Sequence, residues 1–182
     1  MSTAMTPPLA ALIYPDERHD IEDLLEGVAR RLQQSGRSVG GLVHRQSCYA
    51  NGNKCMRLVD LRSGQQFEMT EDLGAASRAC SLNPQALARA SEVLRQALAD
   101  GVELAVVNCF GQLEAAGGGF VQEIAAFVEA GIPVITAVAA RHEAGWQSFT
   151  GGAFVRLPVD EQALLHWCRQ QLQREDPGDR SC

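Results

Sequence analysis

The segment Asn108-Cys109-Phe110-Gly111-Gln112-Leu113-Glu114, followed by Ala115-Ala116 and the run Gly117-Gly118-Gly119, places polar reach beside closely approachable backbone. Asn108 offers an amide where an apolar run ends and Glu114 a carboxylate, while successive N–H groups from Gly111 to Gly119 can form an anion nest. The competing reading is a glycine-rich connection that lets the next helix pack, with Glu114 as a solvated carboxylate or a helix-capping partner. A second group, His44-Arg45-Gln46-Ser47-Cys48, brings an imidazole, a guanidinium and a thiol into what reads as one short loop. A guanidinium with backbone and hydroxyl donors suits a tetrahedral oxyanion; the alternative is a polar surface loop. Cys48 and Cys55 flank Asn51-Gly52, and with His44 they would give a soft-metal site if that loop folded back. Arg78 and Cys80 can bring a second cation toward the same edge, and Tyr14, Asp16 and Arg141 follow apolar runs that read as strands. Neither a catalytic residue nor a metal ligand is assigned, because no GxSxG elbow, no HExxH and no legible Cys–His pairing is present.

The elements that must position these residues alternate. Leu9 to Tyr14 reads as a strand, and Ile21, Leu24, Leu25, Val28 and Leu32 form one face of a helix that Gly36 closes. Ser38 to His44 reads as a second strand, thinned by Gly40 and Gly41 so that a backbone or ligand can pass close. Lys54 to Leu61 and Gln66 to Thr70, separated by Arg62-Ser63-Gly64-Gln65, predict a hairpin on the sheet edge. Asp72 to Asn83 reads as a polar loop. Asn83 then caps a helix that begins at Pro84 and runs to Asp100, and Glu103 to Asn108 is the next strand. Phe120 to Ala130 is helical, Pro133 to Val138 a strand buried on both faces, and Asp160 to Arg174 the last helix. Trp146 and Phe149 are expected to fill a satellite core, and Trp167 with Leu164 and Leu165 a packing face. The alternation predicts an α/β fold, a mostly parallel sheet with helices on both faces and an inserted β-hairpin. Residues 1–174 form one domain in this reading and 175–182 a flexible C-terminal tail. Ligands in such folds sit beyond the carboxyl ends of the strands, which points to the segments Tyr14 to His19, His44 to Asn53, Asn108 to Gly119 and Ala139 to Gly145.

Composition narrows the function. With 182 residues, 46% hydrophobic and 21% charged, the chain has ordinary globular composition. Its formal net charge of −6 leaves no broad basic face for a phosphate backbone, which argues against nucleic-acid binding. Lysine occurs once, at Lys54, among 16 cationic side chains, so lysine chemistry has one possible location. Met1 to Pro8 lacks the pattern of a signal peptide and no apolar stretch reaches membrane-span length, so a cytoplasmic location is expected. The six scattered cysteines are then expected to remain thiols.

A strand, loop and helix near the start invite comparison with a phosphate-binding loop, GxxxxGK followed by Ser or Thr. Tyr14-Pro15-Asp16-Glu17-Arg18-His19-Asp20-Ile21 lacks both glycines and the lysine. Asp20 is expected to cap the helix, with Asp23 completing a capping-box-like arrangement, so that the positive helix pole is already occupied. A conventional ATP–Mg²⁺ site is therefore not expected here. The stretch Glu103 to Glu114 resembles the strand and loop that carry the Walker B acids in thermophilic-type nucleoside triphosphatases, roughly Asp-Glu-x-Gly-x-x-Glu. Gly111 and Glu114 match that pattern, while Asn108 and Cys109 replace its acidic pair.

A resemblance over approximately Leu9 to Trp167 is to an uncharacterised bacterial family related to that fold. It is carried by the Leu-Ile-Tyr strand, Val39-Gly40-Gly41-Leu42-Val43, Asp60-Leu61 with Gly64, Asp72-Leu73-Gly74, Cys80-Ser81-Leu82-Asn83-Pro84, Asn108 through Gly119, and Ile132-Pro133-Val134. Asn83 stands where that family usually has aspartate, and Cys109 and Gln112 where basic residues are common. The resemblance implies a degenerate P-loop NTPase-like fold and an association with molybdenum or nitrogenase metabolism. The leading expectation is a non-catalytic accessory or regulatory protein that binds a small anion, such as molybdate or tungstate, or a nucleotide-like ligand. One alternative is a divergent nucleoside triphosphatase in which Glu114 with Asp16 or Glu17 holds a metal. Another is a structural partner protein or homo-oligomer with a vestigial site, using an apolar face near Trp146 or Trp167.

Overall fold

The computed structural model describes residues 7–16, 20–50, 52–71, 81–108 and 110–174. Among the candidate ligand residues, Arg78 and Cys80 lie outside these, as do Glu17, Cys109, the body of the 72–83 loop and the 175–182 tail.

Strand β1 (Leu9–Tyr14) leads to helix α1 (Ile21–Gln34), whose buried face is Ile21, Leu25, Val28, Ala29 and Leu32, as the helical spacing predicts. Asp20 occupies the N-cap position without a side-chain capping bond, and Asp23 is turned to Arg45. The expected capping box is therefore absent, because an ion pair with a neighbouring strand competes for the Asp23 carboxylate.

Strand β2 (Val39–Cys48) runs four residues beyond the predicted end at His44. Its extension pairs antiparallel with β3 (Lys54–Asp60), and β3 pairs antiparallel with β4 (Gln66–Glu68), so the predicted hairpin forms the sheet edge. A small second sheet, β5 (Thr70–Glu71) with β6 (Ser81–Leu82), brackets the 72–80 segment. Helix α2 (Pro84–Ala99) begins as expected: Asn83 Oδ1 accepts from the N–H groups of Gln85 and Ala86 at 3.0 and 3.1 Å.

Strand β7 (Leu104–Val107), the short helix α3 (Gln112–Ala115) and helix α4 (Val121–Glu129) follow, then β8 (Val134–Ala139), buried along its whole length. Ala140–His142 forms a 3₁₀ turn into α5 (Glu143–Thr150), and β9 (Val155–Leu157) and α6 (Glu161–Arg174) complete the fold. Helix α3, helix α5 and strand β9 have no counterpart in the sequence reading. Each spans eight residues or fewer, too short for a hydrophobic period to declare itself.

The strand order is β4-β3-β2-β7-β8-β1-β9, with β2, β7, β8, β1 and β9 mutually parallel. One face packs Leu42, Ala105, Val107, Val134 and Val138 against Ala90 and Leu94 of α2, Ile124 and Phe127 of α4 and Trp146 of α5. The other packs Leu12, Val43, Val106 and Ile135 against α1 and the Leu164, Trp167 and Cys168 face of α6. Burying a side chain such as Phe127 or Leu94 stabilises the fold by about 1.5–3 kcal/mol.

What passes close to the two glycines of β2 is protein. A Cβ on Gly40 would lie 3.0 Å from the Ala97 methyl, and one on Gly41, at φ +129°, would lie 1.9 Å from the Val106 carbonyl oxygen. These positions let α2 and β7 approach β2, and no space for a ligand is left there.

Candidate functional site

The carboxyl ends of β7, β8 and β1 lie side by side next to Leu42 in the middle of β2, and most of the described candidate residues gather around them. β1 ends at Tyr14, opposite Ala139 of β8; Tyr14 is half-buried and engaged with its surroundings. Just beyond, Asp16 and Arg141 meet across the two strand ends, with Nη1 and Oδ1 2.9 Å apart. Both side chains are substantially exposed, so the pair contributes at most about 1 kcal/mol to stability.

Asn108 follows β7, and its N–H donates to the Leu42 carbonyl at 3.0 Å, extending the parallel ladder toward β2. The residue is 1% exposed, yet its Nδ2 has no hydrogen-bond partner among the described residues. A buried amide left unpaired costs about 1–3 kcal/mol, and such groups are rare enough in folded proteins to need a reason. Phe110 bridges to Val138 of β8 and packs edge-on to Trp146 at 5.0 Å between ring centroids. Phe149 stacks on Phe110 at 5.7 Å and is 36% exposed, beside the partly exposed Leu113 of α3.

Glu114 has a defined role in this loop. Its Oε2 accepts from the Gly111 N–H at 3.0 Å and its Oε1 from the Phe120 N–H at 3.2 Å, and the side chain is buried. The carboxylate therefore braces both ends of the 111–120 segment. Gly119, at φ +56°, supplies the room, since a Cβ there would stand 1.9 Å from Glu114 Oε1. Gly117 takes φ +86° with open space around it. The capping alternative for Glu114 is the one this geometry realises.

The 44–48 segment is not the predicted loop. It is strand, because the partner strand β3 lies directly beside it and satisfies its backbone. Arg45 forms ion pairs with both Asp23 and Glu26 of α1, and His44 Nδ1 lies 3.6 Å from Glu22 Oε1. Burial opposes the charge on Glu22, but the hydrogen bond to His44, its backbone N–H and the charges of His44 and Arg45 outweigh that and hold its carboxyl below the usual range. Thus the guanidinium expected to meet an oxyanion is held by two carboxylates.

The cysteines are separated by the same pairing. Cys48 stands opposite Lys54 and Ser47 opposite Cys55, so Cys48 and Cys55 project to opposite faces of the hairpin. Cys48 is exposed and Cys55 buried, both as free thiols. The folded-back soft-metal site is not formed, and no group of three or more metal-binding side chains occurs among the described residues. Trp146 and Trp167 are 0% and 3% exposed, so neither indole presents an apolar face outward.

Among the described residues the donor set does not favour a magnesium-held triphosphate. An amide stands at the end of β7, Glu114 is engaged by two N–H groups, and Asp16 is paired with Arg141. What remains is an uncharged buried donor framed by the middle of β2 and the ends of β7 and β8. No helix of the described residues is long and apolar enough to cross a membrane.

Comparison with known proteins places this geometry. The fold is similar to the solution structure of a human cancer-related nucleoside triphosphatase, with a TM-score of 0.59 at 15% identity, covering 95% of this chain and 98% of that one. The sequence is 36% identical over 169 residues to the Molybdenum import ATP-binding protein ModC 2 of Bradyrhizobium diazoefficiens. That match takes in 91% of this chain but spans only 18% of the relative's length. A family model described as Protein of unknown function (DUF2478) matches residues 9–167, nearly the whole described fold, and the chain belongs to that family.

Proposed function

We propose that this protein is a small-ligand-binding accessory or regulatory factor, without hydrolytic activity, whose ligand is an anion or a nucleotide-like molecule held at the carboxyl edge of β7 and β8, beside β2. The observation that carries this reading is Asn108, a buried amide whose Nδ2 has no partner among the described residues. A ligand oxygen would supply the missing acceptor and recover the desolvation cost. The absence of hydrolysis is supported by the replacement of the acidic pair by Asn108 and Cys109 and by the engagement of Glu114 with backbone. A role in molybdenum homeostasis, exercised in the cytoplasm, is supported by the relative named as a molybdenum import ATP-binding protein. Because that relative is several times longer, its ATP-binding and import properties are those of the longer protein.

Thermal unfolding in the presence of molybdate, tungstate and sulfate, and separately of ATP or GTP with and without Mg²⁺, tests the proposal. A ligand at about 100 times its dissociation constant adds about 2.7 kcal/mol, several degrees for a chain of this size. A shift that survives without Mg²⁺ and is lost in Asn108→Ala is the expected result. Mg²⁺-dependent turnover abolished by Glu114→Gln would replace this reading with the divergent hydrolase.

A further inference from the structure

The opposite end of α1, where the chain turns into β2, carries a different kind of site. A cavity of about 120 Å³ lies between the last turn of α1 and the packed face of α6. Leu32, Leu165 and Leu172 form its floor, and Arg31, Arg37 and Arg169 stand around it. Among the described residues no carboxylate belongs to the lining, in a chain whose net charge is −6. The arginines come from three places: α1, the connection to β2, and α6.

Two of them are each held by one acid. Arg31 Nε meets Glu161 at 3.0 Å and Arg37 Nη1 meets Glu103 at 2.8 Å, so each guanidinium keeps further N–H donors. Arg169 is exposed and has no acidic partner among the described residues. The three are not needed as a cap for α1. Its last carbonyls already accept from backbone: Ser35 N–H to Arg31 and Leu32, Gly36 N–H to Gln33, and Arg37 N–H to Leu32, all within 2.9–3.1 Å.

We infer that this cavity is a binding site for a free tetrahedral oxyanion of the phosphate, sulfate or molybdate type. The volume decides the size class. At about 120 Å³ it is well below the roughly 300–1,000 Å³ of pockets that hold drug-sized molecules. Converging guanidinium forks give the charge-assisted geometry that such anions take, and the leucine floor lowers the local dielectric and strengthens those bonds. The site is separate from the carboxyl edge, where Arg45 and Arg141 are already paired with carboxylates.

Calorimetric titration of the full chain at constant ionic strength, with chloride as background, tests the inference using inorganic phosphate, sulfate, molybdate and glycerol phosphate. Arg169→Gln is the chosen variant, because Arg169 is exposed and has no acidic partner among the described residues, and a melting curve verifies that it remains folded. We expect binding of an inorganic oxyanion by the native chain, a loss of about tenfold or more in affinity in Arg169→Gln, and no change in Asn108→Ala. Weaker binding of glycerol phosphate than of inorganic phosphate is expected from the cavity size. The inference is overturned by equal affinity in Arg169→Gln, by no oxyanion heat in the native chain, or by glycerol phosphate binding the tighter. Loss of binding in Asn108→Ala with retention in Arg169→Gln would instead place the anion at the carboxyl edge and sink this site while leaving the proposed function standing.

Discussion

The two ends of α1 handle charge in opposite ways. At its start, beside the carboxyl edge of the sheet, Arg45 is held by Asp23 and Glu26, His44 approaches Glu22, and Asp16 meets Arg141. The polar group left over there is an uncharged amide, Asn108, buried and with its Nδ2 unpartnered among the described residues. At its end, three arginines line a small cavity with no acid in its lining among the described residues; two of them pair with Glu161 and Glu103, and Arg169 has no acidic partner among those residues. A guanidinium's availability is therefore decided by what has packed beside it. Two arginines with similar sequence surroundings, Arg45 and Arg169, end in contrary states because one faces an acidic helix turn and the other an apolar floor.

The largest effect that would break this contrast is expected at Glu114. Glu114→Ala leaves the N–H groups of Gly111 and Phe120 without their acceptor, and at about 1–3 kcal/mol for each unsatisfied donor the fold should lose roughly 2–5 kcal/mol in urea unfolding. A loss below about 1 kcal/mol would mean that the carboxylate is not the brace of the loop and is free for other chemistry.

Next in size is Asn108→Leu, similar in volume but without the amide. Removing an unpaired buried polar group should leave stability unchanged or raise it by about 1–2 kcal/mol, while abolishing the ligand-induced shift at the carboxyl edge. This is the pattern of a residue kept for binding at the cost of stability. A marked destabilisation would show that the amide is satisfied within the protein.

A smaller effect follows from Glu22. Its folded carboxyl titrates below the ordinary value of 4.5, so the interaction stabilises the protein at neutral pH and is lost as pH falls through that depressed value. Glu22→Gln should therefore lower stability at pH 7 and flatten its dependence on pH below about 4.5, leaving the anion affinity of the cavity at the last turn of α1 untouched. A steeper acid dependence in the variant would contradict the pairing with His44.

The smallest change is expected from Arg169→Gln without ligand. An exposed side chain with no partner should alter stability by no more than about 0.5 kcal/mol. A larger loss would mean that Arg169 supports the α1–α6 packing.

Much of the scaffold was legible because it rests on periodicity. The α1 face, the Asn83-Pro84 start of α2, the buried β8 strand and the edge hairpin all follow from patterns local in the chain. The same local logic misread the 44–48 segment, whose strand character depends on β3 arriving alongside. Asp20 and Asp23 also had the spacing of a capping box, but a strand neighbour removed one of the pair. The candidate set was partly legible: Asn108, Phe110, Gly111, Glu114, Asp16 and Arg141 do gather at one edge, although the role of Glu114 required sight of both N–H groups it holds. Nothing in the sequence pointed to Arg31, Arg37 and Arg169, which are far apart in the chain and belong to no motif.

By itself the sequence determined which segments are strands and helices wherever apolar periodicity is long enough, the amide and thiol at Asn108 and Cys109, and the family resemblance over most of the chain. The tertiary structure alone decided which charges are neutralised and which remain available. The reason is physical: periodicity records how a segment faces a core and is written residue by residue. An ion pair or a cavity depends instead on distances of a few ångströms between segments whose approach is set by the packing of the sheet and its helices.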